Sequence, residues 1–329
     1  MRNSFKVVLA ALFSLTIATQ AGYAHNVPGS ANANTPEMTE IAVGTIVGAV
    51  RDLVRPMRST PNSVSVTKRG GEIANEVNLS FGDRTQLSFH LGYRNLDTAR
   101  LSGDFWSGAA LLGHNIDAER LVFAGLIGER GNVNTRLDNG KISHQGLGFV
   151  FGADMRVSES WYLTGLFGLQ KFDYRVSRDL GAITGSFSAR RQFVDLTADY
   201  ISASAYGEFL ASGGLTYLRQ KNDGYVESGG AVVPSATYSS LSAVAHMRHL
   251  WGLQGDWRPY ADVTGSYRVT YKANTAPVLA GQHSRWFGRL GLGGERQAGA
   301  WHMHFGLGAN FDRDGFAGPD ATLNYGIRF

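Results

Sequence analysis

The sequence predicts an all-β protein, a transmembrane antiparallel β-barrel of about twelve strands with a short N-terminal segment that reads as helix-permissive. Three observations carry that expectation. The last nine residues alternate apolar Leu323, Tyr325, Ile327 and Phe329 with small or polar Asn324, Gly326 and Arg328. A strand with one face on lipid and the other on a wet lumen reads this way, and it crosses roughly 25 Å of apolar slab in about ten residues. Similar alternating segments recur upstream. Glycine is abundant (42 residues) while hydrophobic residues make up only 43%, which suits a sheet with a polar inner face better than one large dry core.

At the N-terminus, Arg2 and Lys6 flank an apolar stretch from Val7 to Ala18, and Gly22-Tyr23-Ala24 puts small residues at a cleavage site. Residues 1–24 are therefore expected to be a signal peptide, with the mature chain starting at His25 and the protein exported. No later run reaches the roughly 18 apolar residues of a membrane-spanning helix. Removing two cations leaves 29 − 27 = +2 formal charges, without blocks of one sign. Nucleic acid is not an expected partner despite the pI of 9.3. The chain has no cysteine, which excludes a disulfide framework, thiolate metal sites and cysteine nucleophiles.

Residues 25–75 do not read as strand. Thr35-Pro36-Glu37 is a helix start, with Thr35 as N-cap and Pro36 in the first turn, and the helix-permissive stretch runs to Arg55 before Pro56. Gly44 and Gly48 form a small-residue face that allows close approach to a wall. Ile41, Val43, Ile46, Val47, Val50, Leu53 and Val54 are many apolar residues for a polar lumen, so a plug inside the barrel and a helix in the periplasm or at the membrane surface both fit. The barrel is assigned to residues 76–329.

Twelve strands follow, at about 84–94, 103–114, 119–134, 141–156, 161–176, 186–202, 205–221, 237–253, 256–272, 288–297, 301–312 and 321–329. In the clearest of them, Trp301, Met303, Phe305, Leu307, Ala309 and Phe311 oppose His302, His304, Gly306, Gly308, Asn310 and Asp312. In residues 256–272, Val263, Tyr267, Val269 and Tyr271 oppose Asp262, Thr264, Arg268 and Lys272. Asp195, Asp199, Asp262, Arg268, Lys272, Arg289, Asp312 and Arg328 are assigned to the lumen. The connections alternate in length, with long ones at Asp314–Pro319, Ala273–His283, Asn222–Pro234 and Asp179–Gly185. Trp161, Trp251, Trp257 and Trp301 flank the short ones and are expected to form an aromatic belt at the periplasmic interface. Closure is required because an open edge would leave backbone groups unpaired in hydrocarbon.

The stretch from Phe105 to Phe329 resembles the translocation domain of autotransporters, the type V secretion proteins of Gram-negative bacteria. The resemblance rests on "GADMRVSESWYLTGLFG" from Gly152 running into "LQKFDYRVSR", on "DGYVESGG", on "WRPYADV" and on the terminal "LNYGIRF". It implies a twelve-stranded barrel in the outer membrane following a helix that occupies the pore after a passenger has crossed. It also implies outer-membrane lipid, the barrel-assembly machinery and periplasmic chaperones as partners, a monomeric state, and no cofactor. In this sequence only about 50 residues separate His25 from the first strand, so either that short segment is the whole cargo or the barrel serves another purpose.

Catalysis is not expected. His302 and His304 share a lumen face, where hydrated walls need polar residues in any case, and neither a G-x-S-x-G nor an H-E-x-x-H motif occurs. Asn78 sits in a segment similar to the linker that some autotransporters cut at paired asparagines, but Leu79 follows it, and a strand or loop leading into the barrel is the simpler reading. Leu323, Tyr325, Ile327 and Phe329 are expected to act as the C-terminal assembly signal. Arg178, Arg190, Arg191, Arg219 and Lys221 lie near the outer strand ends. Among them Arg190, Arg191 and Lys221 are candidates for lipopolysaccharide phosphates, although adjacent Arg190 and Arg191 must point to opposite faces. A gated channel or structural barrel is the second functional reading, and an outer-membrane lipid hydrolase the third.

Overall fold

The computed structural model describes residues 27–57, 62–69, 71–97, 101–136, 138–252, 257–274, 285–312 and 315–328. Helix α1 (Ser30–Met57) precedes the strands β1 (Ser63–Arg69), β2 (Glu72–Phe81), β3 (Thr85–Asp97), β4 (Leu101–Asn115), β5 (Arg120–Thr135), β6 (Gly140–Arg156), β7 (Trp161–Arg178), β8 (Ile183–Ser204) and β9 (Gly207–Asn222). After the small hairpin β10 (Tyr225–Val226) and β11 (Val232–Val233) come β12 (Ala236–Trp251), β13 (Trp257–Ala273), β14 (Trp286–Ala298), β15 (Trp301–Asp312) and β16 (Gly315–Arg328).

All strands except β10 and β11 form one closed antiparallel barrel of fourteen strands, each paired with its sequence neighbours, and β1 closes it on β16 with Ser63 opposite Arg328. The twelve strands read from the sequence are all present. The two additional ones, β1 and β2, fall at residues 63–81, so the barrel begins at Ser63 and not at residue 76. In β2, Ile73, Val77, Leu79 and Phe81 alternate with Glu72, Ala74, Glu76, Asn78 and Ser80, a period that lies upstream of those twelve strands, and β1 alternates only over Ser63 to Val66 before Thr67, Lys68 and Arg69. Pairing on both sides supplies the backbone partners of both strands.

The outer face carries the lipid-facing band: Leu126, Leu147, Leu292 and Leu307 are each 60% exposed or more. Leu323 and Tyr325 face outward, Ile327 opposes outward Trp301, and Phe329 lies outside the described residues. One end of the barrel holds the connections after β2, β4, β6, β8, β12 and β14, together with Arg328. The other holds those after β1, β3, β5, β7, β9, β13 and β15. At the second end, the connections after β9 and β13 are long, as expected, but β8 starts at Ile183 and β16 at Gly315. Of the expected long loops, Asp179–Gly185 shortens to a 3-10 turn at Asp179–Gly181 and Ala182 before β8, and residues 315–319 of Asp314–Pro319 are strand. Trp161, Trp251 and Trp301 are exposed on the outer face near the first end, and Trp257 joins them there, edge-on to outward Phe305 at 5.4 Å.

The alternation in β13 slips by one residue. Leu241 pairs with Thr270 and Ser242 with Arg268, so Val269 bulges without a partner. A one-residue slip exchanges the faces of every later side chain. Tyr271 and Ala273 therefore pack on the internal core and Lys272 is exposed, correcting the expected lumen position of Lys272 and outward position of Tyr271.

Glycines on the inner face make room for rings of the adjacent strand. A Cβ at Gly168 would come within 2.2 Å of the Phe193 ring, and one at Gly146 within 2.1 Å of Phe172.

Candidate functional site: the pore and its helix

Helix α1 lies in the lumen. Its 28 residues span about 42 Å at 1.5 Å per residue, which matches a bilayer with its headgroups. It starts five residues earlier than the sequence suggested, because Thr35 and Pro36 sit inside it instead of capping it. Pro36 cannot donate to the carbonyl of Asn32, one turn back. The Thr35 hydroxyl donates to that carbonyl instead, at 2.8 Å, and the Thr39 hydroxyl donates to the Thr35 carbonyl at 2.8 Å.

The helix runs in a fixed sense. At its start, Gly29 N–H donates to Glu227 (3.2 Å) and Ser30 to Asp138 (2.8 Å), both in connections of the long-loop end. At its finish, the Met57 carbonyl accepts from Gln86 (3.4 Å) and Asn115 (3.3 Å) beside the short turns. The β10–β11 hairpin folds over the helix start, where Tyr225 and Val233 are buried with Ala31 and Phe187.

One lumen wall is apolar. Val43, Ile46, Val47, Val50, Leu53, Val54 and Met57 pack on Leu111, Leu121, Phe123, Ile127, Val150, Leu166, Phe193 and Leu218. This resolves the excess of apolar residues in the helix: they meet an apolar patch that strands β4–β9 carry on their inner faces, beside polar residues such as Glu129, Arg191 and Asp195. Where Leu111, Phe123, Ile127 and Phe193 point inward, the strand is apolar on both faces and loses its period-2 contrast. The opposite face of the helix is open, with Gly44 exposed and nothing within 4 Å of the position of its Cβ.

Polar contacts fix the register of helix on wall. Arg51 is bidentate to Asp195 (3.0 and 2.5 Å), which also accepts from Thr197 and Thr216. Four residues on in both elements, Arg55 reaches Asp199 at 3.4 Å. Arg268 holds Glu40 from the other wall. A fully buried cluster joins Arg191 to Glu129 (2.5 and 3.1 Å) and Gln220 (2.9 Å), with His144 3.0 Å from Glu129 and Thr39 of the helix 3.0 Å from Gln220. Arg191 is thereby corrected from a lipopolysaccharide candidate to an internal residue, its side chain 0% exposed. Arg178 is likewise buried, against Glu227 at 2.7 Å. Arg190 and Lys221 are exposed on the outer face and directly opposite each other.

Glu129, His144, Gln220 and Arg51 were not singled out from the sequence. The available signal was Glu129 on the same alternate face as Leu121, Phe123 and Ile127, a carboxylate among apolar residues. His304 stands 2.5 Å from the Tyr260 hydroxyl. Asn78 lies in β2, donating to Ser63 and accepting from Ser88, and is not on the helix.

A closed barrel with a lipid-facing apolar band and a helix threaded through its lumen defines an outer-membrane β-barrel of the transporter class. Residues 92–313 match the model of the autotransporter β-domain, and the chain belongs to that family. Among solved structures, the translocator domain of autotransporter NalP from Neisseria meningitidis is similar at a TM-score of 0.59 with 14% identity, covering 89% of this chain and 98% of that one. A Pseudomonas aeruginosa FadL homologue is similar at 0.55 with 12% identity, covering 83% and 92%. No curated protein sequence matches.

Proposed function

We propose that the barrel carries its own N-terminal segment outward through the lumen and is then occluded by helix α1. The observation that supports this is the sense of the helix. β1 starts at Ser63 beside Arg328 at the short-turn end, and the helix start at Ser30 lies at the long-loop end, so the chain crosses the lumen with its N-terminal side leading to the long loops. With the short turns in the periplasm, that end is the cell surface. The apolar wall and the Arg51–Asp195 pair favour a helix that stays in the pore after transit over one that docks from below.

Several expectations travel with this reading. Residues 1–24 would direct export, and Leu323, Tyr325, Ile327 and Phe329 would present the last strand to the barrel-assembly machinery. Trp161, Trp251, Trp257 and Trp301 would sit at the periplasmic lipid interface. No enzymatic step is needed.

An epitope inserted just after His25 tests the proposal. Antibody or protease should reach it on intact cells while a periplasmic marker stays protected. Access only after the outer membrane is breached would overturn self-export.

A further inference from the structure

The outer face of the barrel carries a cationic array that the pore does not use. Lys171, Arg190 and Lys221 are in direct register on β7, β8 and β9. All three are exposed on the lipid side. Directly opposed like charges have Cβ atoms about 5 Å apart and destabilise a sheet, so an uncompensated row of three calls for an anion. Arg219 lies on the same face one rung nearer the membrane centre, opposite Gln192. None of these four cations is in an ion pair among the described residues. The carboxylates near them are Asp173, which accepts from Ser188 at 3.0 Å, and Asp223, both one rung further out.

Immediately below, the face turns apolar, through Phe149, Phe151, Val194, Leu196, Leu215 and Tyr217. The row therefore marks the boundary between acyl chains and headgroups on this side. Elsewhere on the long-loop half the outward face carries aromatic pairs, Tyr93 on Trp106 (4.8 Å) and Trp286 opposite Tyr267, together with Arg130, Asn132 and Asn134 on β5. Four residues beyond Lys171, about 13 Å along the strand, a surface cleft is lined by Lys141, Arg175, Ser143, Ser177, Ser186 and Ser228. It combines two cations with hydroxyls, the donor set of a phosphorylated sugar.

We propose that β6–β9 form a binding surface for a glycolipid bearing more than one phosphate, as in the outer leaflet. Lys171, Arg190 and Lys221 hold one phosphate at the acyl boundary. Lys141 and Arg175 hold a second in the cleft, and the acyl chains lie on Phe149, Phe151, Val194 and Leu196. A glycerophospholipid with a single phosphate fills only half of this surface. The site rests on the outer face alone and is independent of the direction of export.

The test is lipid binding by the full chain in detergent, read by native mass spectrometry against bisphosphorylated lipid A, dephosphorylated lipid A and phosphatidylglycerol. The unchanged protein should retain bisphosphorylated lipid A about tenfold more tightly than either comparison lipid. The triple variant Lys171→Gln, Arg190→Gln, Lys221→Gln should lose that preference while keeping heat-modifiable gel mobility. Lys272→Gln, an exposed cation away from the patch, should leave it unchanged. Equal binding of all three lipids by the unchanged protein would overturn the proposal even if the triple variant fails to fold. So would an undiminished preference in the folded triple variant.

Discussion

Arg191 and Glu129, on β8 and β5, meet 2.5 Å apart inside the barrel with both side chains fully buried, whereas Arg190, the adjacent residue, projects to the outside. The pair is further bound by Gln220, Gln170 and His144, so neither charge can be lost without stranding the other.

Arg191→Met is therefore expected to cost about 3–5 kcal/mol of stability, the usual penalty for orphaning a buried charge. Arg190→Met should change stability by about 0.5 kcal/mol or less, as for an exposed position. Urea titration of the refolded barrel, read by heat-modifiable mobility, checks both. Equal effects of the two substitutions would show that the internal pair is not a structural tie.

The apolar contact between helix and wall predicts how the pore is kept shut. Leu53→Asp places a charge where Leu53 is 0% exposed among Met57, Leu111 and Leu121. Burial of an unpaired carboxylate is strongly unfavourable, so the helix should leave the lumen more often. Planar-bilayer recordings should then show larger and more frequent conductance steps than the unchanged protein. Identical traces would contradict occlusion by α1.

Gly168 faces Phe193 so closely that a Cβ has no room. Gly168→Ala should destabilise the barrel by about 1–3 kcal/mol, the range for overpacking. Combining it with Phe193→Ala should give less than the sum of the two separate losses, since the clash vanishes with the ring. Additive losses in a double-mutant cycle would show that the ring does not occupy this slot.

The chain has no cysteine, so an engineered pair reports position cleanly. A Cβ built at Gly29 lies 3.0 Å from Val233 Cγ1, within reach of disulfide geometry. Gly29→Cys with Val233→Cys should cross-link on oxidation and shift gel mobility, tying the helix start to the β10–β11 hairpin. A helix docked from the short-turn end would give no cross-link.

The alternation of Trp301 to Asp312 and of Leu323 to Ile327 made the outward and inward faces of the last strands legible from the sequence, because there only the outer face is apolar. The same reasoning separated Arg190 from Arg191, although it left open which of them looks inward. It failed in three places, each for a physical reason. β1 alternates only over Ser63 to Val66 and is fixed by pairing with β16 and β2, and with it unread the alternation of Ile73, Val77, Leu79 and Phe81 in β2 stood without a partner strand. The bulge at Val269 exchanges the faces of Tyr271 and Lys272, and a bulge is set by two strands together. The third failure lay in the apolar helix. Alone it looked too apolar for a wet lumen, which left its place open, and the inward apolar residues of strands β4–β9 supply the surface it must bury.

By itself the sequence determined a barrel, its lipid face and its membrane class, because those follow from the period of a strand and the demand of lipid for closed hydrogen bonding. Where the helix lies, which charges it meets and how many strands close the ring were decided only in three dimensions. Those outcomes depend on partners distant in sequence, as with Glu40 and Arg268, 228 residues apart, and Thr67 and Asn324, 257 apart.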